Sequence, residues 1–124
     1  MDSFVVDDEV PILDIIETSL SQKDLEIVKV QDADAALRHL TERKTKPLLV
    51  MVDVMLPRVD GLTLARTLQT QLSPDRVVVM SGQLSDESWW PEDLRELKFV
   101  AKPFSLADLQ ALVDEARHNL SDHN

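Results

Sequence analysis

The sequence predicts an α/β fold in which helices cover both faces of a doubly wound parallel sheet. The first indication is the unbroken apolar run from Leu48 to Val52, ended by Asp53. It is too short to span a membrane and is typical of a strand buried on both faces. The second is the alternation of five such runs with segments of helical periodicity, which right-handed crossovers join into one sheet with strand order 2-1-3-4-5. No internal repeat or linker interrupts the 124 residues, so we expect one domain, 1–124, with an ordered core of about residues 3–120.

The first half of the chain is expected to contain three strands and the two helices between them. The strands are Phe4–Val6, Leu25–Val30 and Leu48–Asp53. The first helix opens at Pro11, whose missing N–H costs nothing in a first turn. The second helix begins near Asp32 or Asp34, after the second strand.

The second half is expected to add strands at Val77–Met80 and Phe99–Ala101. Asp60 is a suitable N-cap for the helix that precedes the fourth strand. Residues 83–90 should form a loop, followed by a short helix over about 91–97, because a residue before proline avoids the helical region. Ser105 and Asp108 have the spacing of a capping box for the last helix, and residues 121–124 are expected to fray.

Charge and composition exclude several classes of function. A formal net charge of -10 disfavours nucleic-acid binding through a general electrostatic patch. The absence of cysteine excludes a disulfide framework, a thiolate nucleophile and a zinc knuckle, and it fits a reducing compartment. Neither a signal peptide nor a membrane-spanning run is evident, so we expect a cytoplasmic protein without membrane contact.

Reactive side chains are expected to meet where four of the strands end. Asp7 and Asp8 follow the first strand, Asp53 ends the third, Ser81 follows the fourth and Lys102 follows the fifth. In open α/β sheets, ligands bind at the carboxyl ends of the strands. Three neighbouring carboxylates repel one another and need a cation, and all-oxygen ligation with few carboxylates suits Mg²⁺.

A carboxylate nucleophile, a divalent cation, a lysine and a hydroxyl together indicate phosphoryl transfer. Asp53 would attack phosphorus and become an aspartyl phosphate. The cation would neutralise one phosphoryl oxygen, Lys102 would neutralise another, and Ser81 would donate a hydrogen bond to the third.

The chain resembles the receiver domain of two-component response regulators over nearly its whole length. The matching segments are Val6-Asp7-Asp8-Glu9, Val52-Asp53-Val54-Met55-Leu56-Pro57 with Asp60-Gly61, Met80-Ser81-Gly82, and Phe99-Val100-Ala101-Lys102-Pro103-Phe104. Each is weak alone, but their order and their placement at strand ends are highly specific. The resemblance implies a flavodoxin-like (βα)5 fold and a signalling phosphoacceptor rather than an enzyme.

The resemblance also implies roles for residues at the site. Asp53 would take the phosphoryl group from a histidine kinase or a histidine phosphotransfer protein, as a step of a two-component system or phosphorelay. Asp8, Asp53 and the Met55 carbonyl would ligate Mg²⁺ directly, and Asp7 would act through water. Mn²⁺ would be an acceptable substitute. The resemblance does not name the downstream target.

Ser81 and Phe99 would, by the same resemblance, form a switch pair. The hydroxyl would move onto the phosphoryl group, and the ring would turn into the vacated space. Phe99 stands where tyrosine is commoner and has no hydroxyl to keep it in water, so we expect its inward rotamer even without phosphate. The shortened region around Pro91 leaves open whether the usual signalling face of fourth helix, fifth strand and fifth helix is used.

The residues bear on three alternatives to a free-standing regulator. The segments Met80-Ser81-Gly82 and Lys102-Pro103-Phe104-Ser105 also resemble receivers of hybrid histidine kinases, so the chain could be a fragment of such a kinase or of a phosphorelay protein. An aspartate-nucleophile phosphatase would need an acid two residues after Asp53, where Met55 stands. An electron carrier of the flavodoxin type would need a hydroxyl-rich phosphate loop, where acidic residues follow the first strand.

Overall fold

The computed structural model describes residues 2–20, 25–56, 60–82, 92–102 and 104–122, and it contains one five-stranded sheet. The strands are β1 (Asp2–Val6), β2 (Glu26–Val30), β3 (Val50–Asp53), β4 (Val77–Ser81) and β5 (Lys98–Ala101). The helices are α1 (Val10–Leu20), α2 (Ala33–Thr41), α3 (Gly61–Gln71) and α4 (Leu106–Asp122). Single 3₁₀ turns lie at Pro74–Arg76 and Glu92–Leu94.

The sheet has the order β2-β1-β3-β4-β5, and every pair of neighbouring strands is parallel. This confirms the predicted flavodoxin-like topology. Every residue of β3 is buried, as the unbroken apolar run predicted. Leu48 and Leu49 precede the strand proper but already bond to β1, since the Leu48 N–H donates to the Asp2 carbonyl at 2.7 Å.

The core lies in two layers because successive strand residues face opposite sides of the sheet. On one side, Val50 and Val52 pack with apolar residues of α2 and α3. On the other side, Met51 packs with apolar residues of α1 and α4. The two helix pairs thus seal both faces and leave the carboxyl ends of the strands as the open rim.

The predicted caps fix where the helices begin. The Asp32 carboxylate accepts from the Ala35 N–H at 2.8 Å, and the Asp60 carboxylate accepts from the Leu62 N–H at 3.0 Å. Ser105 and Asp108 bond to each other's backbone N–H, both at 3.0 Å. Each of these contacts satisfies a donor near a helix start.

The fourth crossover differs from the prediction of a short helix over 91–97. Within the described residues it is a 3₁₀ turn, Glu92–Leu94, and the predicted loop at 83–90 and Pro91 lie outside the described residues. The side chain of Leu94 is buried, and Asp93 pairs with Arg66 of α3 at 2.8 Å. These contacts fix the turn against α3, and the chain then enters β5 at Lys98. The described residues therefore contain four α-helices rather than five.

The last helix also departs from expectation, because α4 continues to Asp122, two residues into the stretch expected to fray. Helix ends commonly differ by this much. None of the helices in the described ranges has the length and apolar character needed to cross a membrane.

Candidate functional site

Two carboxylates are held at the rim by backbone hydrogen bonds. The Asp7 N–H donates to the Val30 carbonyl at 3.0 Å, which extends the β1–β2 pairing by one residue. The Asp7 side chain is fully buried, and its Oδ1 accepts from the Glu9 N–H at 2.9 Å. Asp53, the last residue of β3, is 5% exposed, and its Oδ1 accepts from the Met55 N–H at 3.2 Å. The strand ends therefore fix both side chains in place.

Lys102 brings a positive charge to these carboxylates. Its backbone N–H donates to the Ser81 carbonyl at 2.8 Å, which extends the β4–β5 pairing. Its Nζ lies 2.7 Å from Asp7 Oδ2, 3.3 Å from Asp53 Oδ2 and 3.8 Å from Glu9 Oε2. The tightest contact of the ammonium is thus with Asp7, and its predicted contact with a phosphoryl oxygen on Asp53 stays a prediction.

Asp8 completes a cluster of three acids. One carboxylate oxygen each of Asp7, Asp8 and Asp53 lies within 4.8 Å of the others. Asp8 is exposed, and the other two are buried. In the described ranges this is the one such group of potential metal ligands. Hard oxygen donors at this spacing, partly neutralised by the Lys102 ammonium, fit a divalent cation such as Mg²⁺.

Burial sets the electrostatics of the site. Burial raises the pKa of Asp53 and the charge of Asp7 raises it further, while the Met55 N–H and Lys102 lower it. The pKa stays above its ordinary value. Burial lowers the pKa of Lys102, but the hydrogen bond and charge of Asp7, together with Asp53, outweigh this and leave the pKa raised. The site therefore holds an ammonium and disfavours the charged form of Asp53 until further positive charge arrives.

An open cleft of about 530 Å³ lies over these groups. Its lining residues are Asp8, Glu9, Asp53, Met55, Leu56, Gly82 and Lys102. The cleft opens to solvent above Asp53 and Lys102. Glu9 was not among the predicted site residues, although its position directly after Asp7-Asp8 at the same rim was a signal that it could reach the cleft.

The remaining predicted residues lie around this cleft. Ser81 ends β4 and is 2% exposed, whereas the Met55 side chain is 56% exposed. Phe99 is half-buried in β5, where it pairs with Val79 of β4. Ser81 and Phe99 therefore lie on adjacent strands. The switch and ligand roles of these residues stay predictions.

Gly61 at the start of α3 permits close packing behind Asp53. Its N–H donates to the Val54 carbonyl at 3.0 Å. A Cβ added at Gly61 would overlap the carbonyl oxygen of Asp53 and the Cα of Val54. Only glycine therefore fits between the start of α3 and the end of β3.

Sequence comparison relates the chain to signalling proteins. Residues 4–114 match the family described as response regulator receiver domain. Two probable transcriptional regulators, ycf27 of Cyanophora paradoxa and ycf27 of Pyropia yezoensis, are each 34% identical over 110 residues. The match covers 88% of this chain but only 45% and 44% of those regulators. The chain thus spans about half the length of these relatives.

Solved structures of similar shape cover nearly the whole chain. The receiver domain of NtrX from Brucella abortus is 34% identical, with a TM-score of 0.77, and the match covers 93% of this chain and 97% of that one. The BeF3-activated N-terminal receiver domain of Klebsiella pneumoniae RstA is 26% identical, with a TM-score of 0.80 over 94% and 97% of the two chains. A response regulator receiver domain protein from Clostridium thermocellum has a TM-score of 0.84 over 99% and 98%, and at 22% identity it supports the fold alone.

Proposed function

The chain belongs to the response regulator receiver domain family, and from that premise we propose that it is a phosphoacceptor module that is phosphorylated on Asp53. The observation that carries the proposal is the position of the Asp53 carboxylate. It lies in the cleft, 3.3 Å from the Lys102 ammonium and within the cluster formed with Asp7 and Asp8. A nucleophilic carboxylate beside fixed positive charge is the arrangement that phosphoryl transfer needs.

The proposed donor is the phosphohistidine of a histidine kinase or of a histidine phosphotransfer protein. An oxygen of Asp53 attacks phosphorus, and the new O–P bond forms as the P–N bond of the donor breaks. The leaving imidazole keeps the electron pair of that bond and takes up a proton. Asp53 Oδ1 is engaged by the Met55 N–H, whereas Oδ2 faces Lys102. The hydrogen bond from Met55 thus orients the carboxylate for attack.

We assign Mg²⁺, or Mn²⁺ in its place, to the acid cluster. Asp8, Asp53 and the Met55 carbonyl would hold the ion directly, and Asp7 would hold it through water. When bound, the ion supplies positive charge against the developing charge on the phosphoryl oxygens. The fit rests on the three carboxylates, which lie within 4.8 Å of one another and have only one ammonium in contact among the described residues.

Lys102 and Ser81 would stabilise two other phosphoryl oxygens, through the ammonium and the hydroxyl respectively. Their backbones are joined by the hydrogen bond between the Lys102 N–H and the Ser81 carbonyl. Movement of Ser81 onto the phosphoryl group would therefore displace the end of β5, the strand that contains Phe99. This link supports Ser81 and Phe99 as the pair through which phosphorylation changes the conformation of the protein surface.

The module would act by controlling partner binding and would catalyse only its own phosphorylation and dephosphorylation. We assign residues 1–124 to one receiver domain in the cytoplasm, without contacts to nucleic acid or membrane. The similar ycf27 proteins are about twice as long as the matched segment. The length of these relatives favours a larger regulator as the protein that contains this receiver domain. A hybrid histidine kinase or a phosphorelay protein is the alternative.

Phosphorylation of Asp53 can be tested by intact mass. Incubation with acetyl phosphate and Mg²⁺ should add one phosphoryl group to the wild-type chain. Asp53→Asn should stay unmodified because the nucleophilic oxygen is replaced. Asp34→Asn, at an exposed aspartate in the first turn of α2, is the matched control and should be labelled like wild type. A label retained by Asp53→Asn would falsify the assignment of the acceptor.

A further inference from the structure

Among the described residues, Glu9 is the one carboxylate in contact with Lys102 that is not part of the acid cluster. Its Oε2 lies 3.8 Å from the ammonium, and its side chain is 61% exposed at the cleft. Asp7 and Asp53, which also contact Lys102, are buried and belong to the cluster. Lys102 is therefore held by two buried carboxylates on its inner side and by one exposed carboxylate toward solvent.

The backbone of Glu9 is fixed, although its side chain is exposed. Its N–H donates to Asp7 Oδ1 at 2.9 Å. Its carbonyl accepts from the N–H groups of Ile12 and Leu13 at 3.0 and 3.2 Å, and so begins the hydrogen bonding of α1. These backbone bonds fix the position from which the Glu9 side chain reaches Lys102.

The balance around Lys102 changes once the aspartates hold a cation. Their attraction for the ammonium then weakens, because the same carboxylates neutralise the cation. The attraction of Glu9 does not weaken in this way, since Glu9 is not a member of the cluster. Resting on the proposed phosphoacceptor function, we propose that Glu9 is a positioning residue that competes with the phosphoryl group for the ammonium of Lys102 and so slows phosphorylation of Asp53.

The expected effect is modest, because the pair is exposed and water screens it. An exposed ion pair at this distance limits the change in rate to about threefold. Glu9→Gln keeps the length of the side chain and removes its charge. Glu26→Gln removes the same charge at an exposed glutamate at the start of β2, outside the cleft lining, and serves as the control.

The rate experiment uses the full chain with Mg²⁺ and acetyl phosphate. Glu9→Gln should be phosphorylated about threefold faster than wild type, and Glu26→Gln at the wild-type rate. An unchanged or slower rate in Glu9→Gln overturns the inference. If wild type is phosphorylated but Glu9→Gln is no faster, only the inference about Glu9 fails. If wild type itself takes up no phosphoryl group, the proposed function fails too.

A second donor separates competition for Lys102 from simple repulsion. Phosphoramidate is less negatively charged than acetyl phosphate at neutral pH, but both transfer the same group. If Glu9 acts through Lys102, the rate of phosphorylation should rise by the same factor in Glu9→Gln with either donor. A larger factor with acetyl phosphate would mean that Glu9 repels the donor directly, and the inference would be wrong.

A metal-free measurement tests the contact itself. The side-chain Cε and Nζ resonances of Lys102, assigned by their loss in Lys102→Gln, report the environment of the ammonium. They should shift in Glu9→Gln and stay in place in Glu26→Gln. Resonances that do not move in Glu9→Gln would show that Glu9 does not hold the ammonium, and this too overturns the inference.

Discussion

Lys102 is the residue on which the charge balance of the site depends. Its side chain is 15% exposed, and its ammonium contacts three carboxylates, two of them buried. An isolated buried carboxylate is strongly disfavoured, so Lys102 stabilises the acids in the absence of a cation. The same ammonium would have to serve the phosphoryl oxygen later. In the proposed function, Lys102 therefore has a structural task before phosphorylation and a catalytic task during it.

Replacement of Lys102 by glutamine should slow phosphorylation by acetyl phosphate about a hundredfold, because a fixed charge that stabilises the transition state is lost. Lys98→Gln is the matched control. Lys98 begins the same strand but pairs with Glu115 on α4, so its loss should leave the rate unchanged. Rates are measured by intact mass after circular dichroism has shown that both variants fold. Equal rates in Lys102→Gln and wild type would remove its role.

Gly61 gives a second prediction for a single residue. In Gly61→Ala the new Cβ overlaps the Asp53 carbonyl, so either the start of α3 or the end of β3 has to move, at a cost of about 3 kcal/mol in the free energy of unfolding. Gly82→Ala is the matched control, since its Cβ would lie 3.4 Å from Lys102 Cβ, and it should cost less than about 1 kcal/mol. Urea denaturation measures both values. Similar losses in the two variants would contradict the packing argument.

Among the elements, those set by neighbouring residues were predictable and those set by distant contacts were not. The caps at Asp60 and Ser105 depend on residues two or three positions away, so the sequence alone identifies them. The turn at 92–94 depends instead on the contact between Asp93 and Arg66 of α3 and on burial of Leu94. Nothing in the local pattern reports that contact, and a longer helix was predicted.

The capping box of α4 allows a quantitative test at this scale. Ser105→Ala removes the hydroxyl that accepts from the Asp108 N–H and should lower the free energy of unfolding by about 1 kcal/mol. Ser105→Asp restores a side-chain acceptor at the same position and should recover most of the loss. Both values follow from urea denaturation. A loss of the same size in Ser105→Asp would show that the capping hydrogen bond is not the cause.

For the whole molecule, topology decided how much of the site could be predicted. Once the strand order is known, the ends of β1, β3, β4 and β5 must meet, and acids and lysine at those ends must lie close together. The side-chain contacts within the cleft could not be predicted from the strand order. The preference of Lys102 for Asp7, and the reach of Glu9 to Lys102, depend on side-chain positions that strand order does not fix.

Cation binding should change the stability of the whole domain. Mg²⁺ at a hundredfold excess over its Kd should raise the free energy of unfolding by about 2.7 kcal/mol, because it binds the folded chain and relieves repulsion among the acids. The increase should be smaller in Asp8→Asn, which lacks one ligand, and should persist in Asp34→Asn. Thermal unfolding with and without Mg²⁺ measures these differences. No rise in Tm in the wild-type chain would argue against a metal at the acid cluster.

The complete burial of β3 has a consequence for signalling. Its residues from Val50 to Asp53 are 5% exposed or less, and helices pack on both faces of the strand. A close-packed interior has low compressibility, so a local force displaces it little. The proposed acceptor, Asp53, thus lies at the end of a strand that is tightly packed on both faces. Added charge on it cannot be accommodated by bending its own strand, so any displacement has to be taken up by the outer strands and loops, where a partner could detect it.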